Sequence, residues 1–206
     1  MAFDQITIPT EHMVDDDFEN VGGIAREIAW AFLANVNTLP KPVVDKLSDT
    51  GNLEDIATIS DDIVMETGQE FQRLEITEDT GNIVAAGAGE KDGKVAEETL
   101  TFFVPGNRKY IKALFRIWKN ADMVFLVPDN DPEENVQLYG TKRFPARLDT
   151  YEYNSGAAKT DRKGATFTFK RTDVMESPIF EGGVITDETG PTYQTNLEYL
   201  KVTSGV

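Results

Sequence analysis

Alternation of apolar and polar positions is the dominant pattern along this chain, and it predicts strands. Thr166-Phe167-Thr168-Phe169 alternates strictly, as a strand with one buried face does. Comparable segments lie at 56–59, 71–76, 83–86, 94–104, 123–127, 136–139, 144–153 and 165–172. Turn residues separate them: Asp79-Thr80-Gly81-Asn82, Lys91-Asp92-Gly93, Asp129-Asn130-Asp131-Pro132 and Asn154-Ser155-Gly156. Asp-Gly is a favoured hairpin corner, so 71–104 reads as one long hairpin with a flexible Gly87-Ala88-Gly89 stretch and an acidic tip.

Two segments depart from that period. Residues 28–33 fit a strand, with Ile28, Trp30 and Phe32 alternating, or a helix, with Ile24, Ile28, Phe32 and Val36 four apart. The strand is favoured, because the segment is short and runs into Leu39-Pro40-Lys41-Pro42. Residues 106–119 have helical spacing. Tyr110, Ile111, Leu114, Phe115 and Trp118 form one apolar face, which should close one edge of the core. Arg108, Lys109, Lys112, Arg116 and Lys119 form the other, and Asn107 is the expected N-cap. Residues 1–21 are polar and read as an N-terminal arm. Residues 22–177 read as the folded domain, and 178–206, with sparse apolar positions, as a C-terminal arm or strand. The fold expected is mainly β: an antiparallel β-sandwich or flattened barrel with one flanking helix.

Composition narrows the function classes. Hydrophobic residues make up 40% of the 206 residues, enough for a core. No apolar run is long enough to span a membrane, and the first residues lack the pattern of a signal peptide. Cysteine is absent, which excludes disulfides and thiolate metal sites and fits assembly in a reducing cytoplasm. The formal charge is −16, and it is unevenly spread. Residues 1–105 hold 22 acids and 6 Lys/Arg, whereas 106–206 hold 14 of each. Such a field disfavours tight nucleic-acid binding, and plain solubility explains it equally well.

Catalytic chemistry finds little support. The one histidine, His12, lies in the expected arm, without a pocket or an orienting partner. Carboxylate pairs cannot be singled out among 36 acids. Asp129-Asn130-Asp131-Pro132-Glu133-Glu134 lacks the glycine and the final glutamate of a calcium loop, so an exposed turn is the better reading. Gly87-Ala88-Gly89 and Gly156-Ala157-Ala158-Lys159-Thr160 do not open helices and are not phosphate cradles. The basic helix face fits a solvated surface or an acidic protein partner better than nucleic acid. No enzyme activity, cofactor or metal is expected.

The ordered features then resemble a known group. They are Gly22-Gly23, Leu39-Pro40-Lys41-Pro42, Thr99-Leu100-Thr101-Phe102-Phe103-Val104-Pro105-Gly106-Asn107 before the helix, and Lys119-Asn120-Ala121-Asp122 after it. Gly140, Phe144-Pro145-Ala146, Gly156-Ala157 and Asp161-Arg162-Lys163-Gly164-Ala165-Thr166 follow. In order and spacing the chain resembles virion structural proteins of tailed bacteriophages or prophages of Bacteroidota type, most of all their tail tube proteins. That resemblance implies six copies in a ring, rings stacked into a virion tail assembled in the host cytoplasm, and a lumen through which DNA passes unbound. The implied partners are further copies and other tail or neck proteins.

On that reading Arg108, Lys109, Lys112, Arg116, Lys119, Arg162 and Lys163 form a basic patch for a neighbouring subunit's acids. Glu75, Glu97 and Asp149 are the acids expected to line the lumen, with Glu97 more solvent-facing than Glu98 by strand alternation. Two rival readings remain, with carboxylate-based glycosidase chemistry, which needs two facing acids in a cleft, a distant third. One is a head–tail connector, stopper or capsid decoration protein; the other is a monomeric β-barrel module for a small ligand.

Overall fold

The computed structural model describes residues 22–41, 56–130 and 135–186. The expected arm 1–21 with His12, the stretch 187–206 and the loop residues 131–134 lie outside them. In chain order the strands are β1 (Glu27–Phe32), β2 (Val36–Thr38), β3 (Thr58–Ile59), β4 (Ile63–Met65), β5 (Gln72–Glu75), β6 (Asn82–Ala88) and β7 (Val95–Pro105). After the helix α1 (Lys109–Trp118) come β8 (Met123–Pro128), β9 (Val136–Tyr139), β10 (Arg147–Asn154), β11 (Gly164–Asp173), β12 (Ile179–Phe180) and β13 (Val184–Ile185).

The fold is mainly β with one α-helix, as the alternation predicts, and its sheets do not close into a barrel. A six-stranded sheet, β3-β12-β9-β8-β1-β5, is buried on both faces. One face packs against the four-stranded sheet β10-β11-β7-β6 with α1 at its side; the other packs against the three-stranded sheet β13-β4-β2. Strand β8 shows why. All six of its residues are buried; Met123, Phe125 and Val127 enter the first core, and Val124 and Leu126 the second. A strand covered on both sides reads as a continuous apolar run. Strand β1 splits the same way, Ile28 and Trp30 to the first core and Ala29 and Ala31 to the second. Covering both faces requires the two-fold period of a strand, so the helical spacing of Ile24, Ile28, Phe32 and Val36 does not prevail.

Several boundaries are corrected. The hairpin does not span 71–104. Strand β5 pairs with β1 in the six-stranded sheet, and only β6 and β7 form the hairpin. The chain changes sheets at Ile76 and Thr77, whose amides bond to Arg26 O at 2.8 Å and Phe103 O at 2.9 Å. At the hairpin tip Gly89 has φ +92°, and a Cβ there would lie 2.4 Å from Gly93 O. The helix begins at Lys109, not 106, and no side chain caps it; Arg108, not Asn107, holds the N-cap position. Residues 178–186 take the strand alternative of the expected C-terminal arm or strand. Strand β12 joins β3 and β9, β13 joins β4, and Phe180 and Val184 are buried in the second core.

Candidate functional site

Alternation carries charge into the first core's rim. In β7 the inward residues are Ala96, Glu98, Leu100, Phe102 and Val104; in β11 they are Ala165, Phe167, Phe169, Arg171 and Asp173. Glu98 is 2% exposed and Arg171 4%. Arg171 Nε donates to Glu98, Nη1 to Asp173 at 3.1 Å, and Nη2 to the Met175 carbonyl at 3.2 Å. Ser177 donates to Glu98 from its amide at 2.7 Å and its hydroxyl at 2.8 Å, and Thr141 Oγ1 donates to Asp173 at 3.2 Å. Tyr139 Oη lies 2.9 Å from Glu98 O and 3.0 Å from Phe169 O. Burial, reinforced by the Glu98 carboxylate, pushes its phenol far above the ordinary value.

Each charged member of this cluster already has protein partners, and together they pin the 173–177 turn to β7. Beside it lies a cleft of 320 Å³, with Lys41, Arg143, Phe144 and Met175 in its walls and Val174 exposed at its edge. Among the described residues no group of three or more His, Asp or Glu is placed to hold a metal, and no helix is long and apolar enough to cross a membrane. Sequence reasoning missed the cluster, although a signal existed. Arg171 and Asp173 continue the buried phase of Phe167 and Phe169, as Glu98 does for Leu100 and Phe102.

The helix face divides in three. Ile111, Leu114 and Trp118 are buried, and Phe115 stacks on Tyr151 with ring centroids 4.3 Å apart. Tyr110 does not join this core face: it is 48% exposed, because it lies a further step around the helix, near the exposed Ile117. At about 100° per residue, Arg108, Lys109, Lys112, Arg116 and Lys119 fall in one sector roughly 100° wide. All five are exposed, and Lys112 Nζ sits 5.9 Å from the Tyr153 ring centre. The Gly106 amide bonds to Lys163 O at 2.8 Å, which draws Arg162 and Lys163 to the start of α1. Among the described residues none of these seven cations forms an ion pair. The one acid in that loop, Asp161, is occupied by the Ala157 and Ala158 amides, which hold its carboxyl below the usual range.

The three acids singled out for a lumen do not converge. Glu75 is on β5, at an edge of the six-stranded sheet, 3.9 Å from Arg26; its neighbour Arg73 pairs instead with Glu27. Glu97 and Asp149 both lie on the outer face of the four-stranded sheet. Asp149 occupies a β-bulge between Leu148 and Thr150 and pairs with Lys170 at 2.9 Å. The rest of that face mixes threonines with the half-buried Phe103 and the exposed Val84. Thr150, Thr168, Thr101 and Asn82 form one cross-strand row, and Lys170, Thr99 and Val84 another. Both edge strands of this sheet, β6 and β10, pair on one side only among the described residues.

Comparison of the chain with protein-family models, with curated proteins and with solved structures returns no match.

Proposed function

We propose that the chain is a structural subunit that assembles with itself, and specifically a tail tube protein of a tailed phage or prophage. The observation that carries this reading is the four-stranded sheet β10-β11-β7-β6. Among the described residues it has one strand edge open at each side, and its outer face carries threonines and paired charges alongside Phe103 and Val84. An unpaired edge is a template for strand addition, so β6 of one copy can meet β10 of the next and close a ring. The outer face of that sheet then becomes the inner wall.

Such a wall suits passing DNA. Its charged groups are Glu97, Asp149, Glu152, Arg147 and Lys170, and both cations are paired with acids. Phosphates therefore meet no cationic excess and release no counterions on contact. This refines the expectation of a strongly acidic lumen. The described residues carry 20 acids and 18 Lys/Arg, so most of the −16 lies in the remaining segments. Absence of an enzyme activity and of a cofactor belongs to the same reading, as does location in the virion tail with other tail and neck proteins as neighbours.

Negative-stain electron microscopy of the purified full-length chain tests it. Long tubes with a hollow axis are the expected result. Isolated rings that never stack would favour a connector or stopper. A protein that stays monomeric at high concentration would overturn the reading and direct attention to the cleft beside Arg143 as a ligand site.

A further inference from the structure

We infer that the chain's own N-terminal segment, residues 1–21, docks on the cationic flank of α1. The inference goes beyond the proposed assembly and stands without it. The flank is an anomaly in a chain of this charge. Arg108, Lys109, Lys112, Arg116 and Lys119 share one sector of one helix, with Arg162 and Lys163 drawn to its start. All seven are exposed and none pairs with a described carboxylate, whereas Arg26, Arg73, Arg147, Lys170 and Arg171 each do; the remaining unpaired cations Lys41, Lys91, Lys94, Lys142, Arg143 and Lys159 lie off this helix. Like charges crowded on one helix repel, so an acidic cover relieves them.

The segment that best complements this flank is 1–21. It holds Asp4, Glu11, Asp15, Asp16, Asp17 and Glu19 and no lysine or arginine. Its apolar residues Phe3, Ile6, Ile8, Met13, Val14 and Phe18 match a second feature of the helix. Next to the cations, on the adjoining turn of surface, Tyr110 and Ile117 are 48% and 45% exposed. An acidic strand with interspersed apolar side chains can satisfy both at once. The other segments outside the described residues fit less well, since 42–55 and 187–206 each carry a lysine of their own, Lys46 and Lys201.

Geometry permits the contact. Residue 22 enters the body beside Asp129 and Asn130, through the Ile24–Asp129 bridge and the Asn130 amide to Gly23 O at 3.3 Å. The Arg26–Ile76 and Thr77–Phe103 bonds set the start of β1 near the end of β7, which leads directly into α1. Twenty-one extended residues reach about 70 Å, whereas α1 is only about 15 Å long. The segment can therefore cover its own helix or that of the next copy.

Zero-length carbodiimide coupling of the full-length protein, read by mass spectrometry, tests this. Amide links from Asp15, Asp16, Asp17 or Glu19 to Lys109, Lys112 or Lys119 are expected, and they should fall several-fold in high salt. The double variant Arg108→Glu, Arg116→Glu leaves all three reporter lysines in place and should lose those links. Adding Asp15→Lys, Asp16→Lys and Asp17→Lys to it should create reversed links to the new glutamates. The inference is overturned if the three lysines couple to no residue in 1–21, or if the links persist undiminished in the double variant. Because coupling is read on unassembled as well as assembled protein, absence of tubes and absence of links are separate results.

Discussion

At the scale of single residues, two buried side chains tie several elements of the first core together. Trp118 is fully buried and meets Trp30, Phe167 and Phe169 edge-on at 5.1, 5.0 and 5.5 Å between ring centroids. Its indole Nε1 has no hydrogen-bond partner, so its contribution is packing. Trp118→Ala should cost about 3–5 kcal/mol in urea unfolding, as large core truncations do. An unchanged unfolding midpoint would mean that α1 is not part of the core. Arg171 is the second. Arg171→Met strands Glu98 and Asp173 without their cation and should cost about 3–5 kcal/mol. Adding Glu98→Gln should recover part of that loss, and the coupling energy from a double-mutant cycle measures how much the pair itself contributes. A cycle showing no coupling would contradict the cluster.

At the scale of elements, what could be read from the sequence depended on how many neighbours each strand needed. Strand β11 was legible because one partner sheet buries alternate residues, and β8 because both faces are covered and leave a run of apolar residues. Strands β2, β4, β12 and β13 were not, since two or three residues show no period. Their burial comes from the second core, which no local pattern announces. Strand β10 was legible as a strand but not in its facing: the bulge at Asp149 switches the inward set from Leu148 to Tyr151 and Tyr153. The hairpin was drawn too long for a related reason, because Thr77 to Gly81 looks like a corner within one sheet and is a crossing between two. In α1 the core face was legible apart from Tyr110, whereas the placement of Glu75, Glu97 and Asp149 on two different sheets was not. Which sheet a strand joins decides where its outer residues point, and β5 joins the sheet that Glu97 and Asp149 do not.

At the scale of the whole molecule, charge is separated from fold. The near-neutral body holds the cations on α1, and the acidic excess lies in segments beyond the described residues. Association that uses this separation must weaken with salt, since exposed charges are screened over a Debye length of roughly 8 Å at physiological ionic strength. Lys112→Glu with Arg116→Glu should slow self-assembly measured by light scattering, most strongly at low salt. Each exposed pair is individually weak, so apolar burial at the joints must supply the rest. Assembly that is indifferent to both the substitution and the salt would exclude a charge-guided step.

The sheet buried on both faces also sets a timetable. Strand β13 pairs in parallel with β4, so Val184 must find Ile63 across more than half the chain. Until β12 and β13 have been synthesised, Val124, Leu126, Ala29 and Ala31 lack part of their cover. Contacts so distant in sequence form late, because loop closure must precede any gain from them. The hairpin β6–β7 and its neighbour β11 need no such wait. Pulsed hydrogen exchange during refolding should protect the amides of β7 and β11 before those of β4 and β13. A nascent chain still missing β12 and β13 thus carries a partly uncovered apolar sheet face, which their arrival closes.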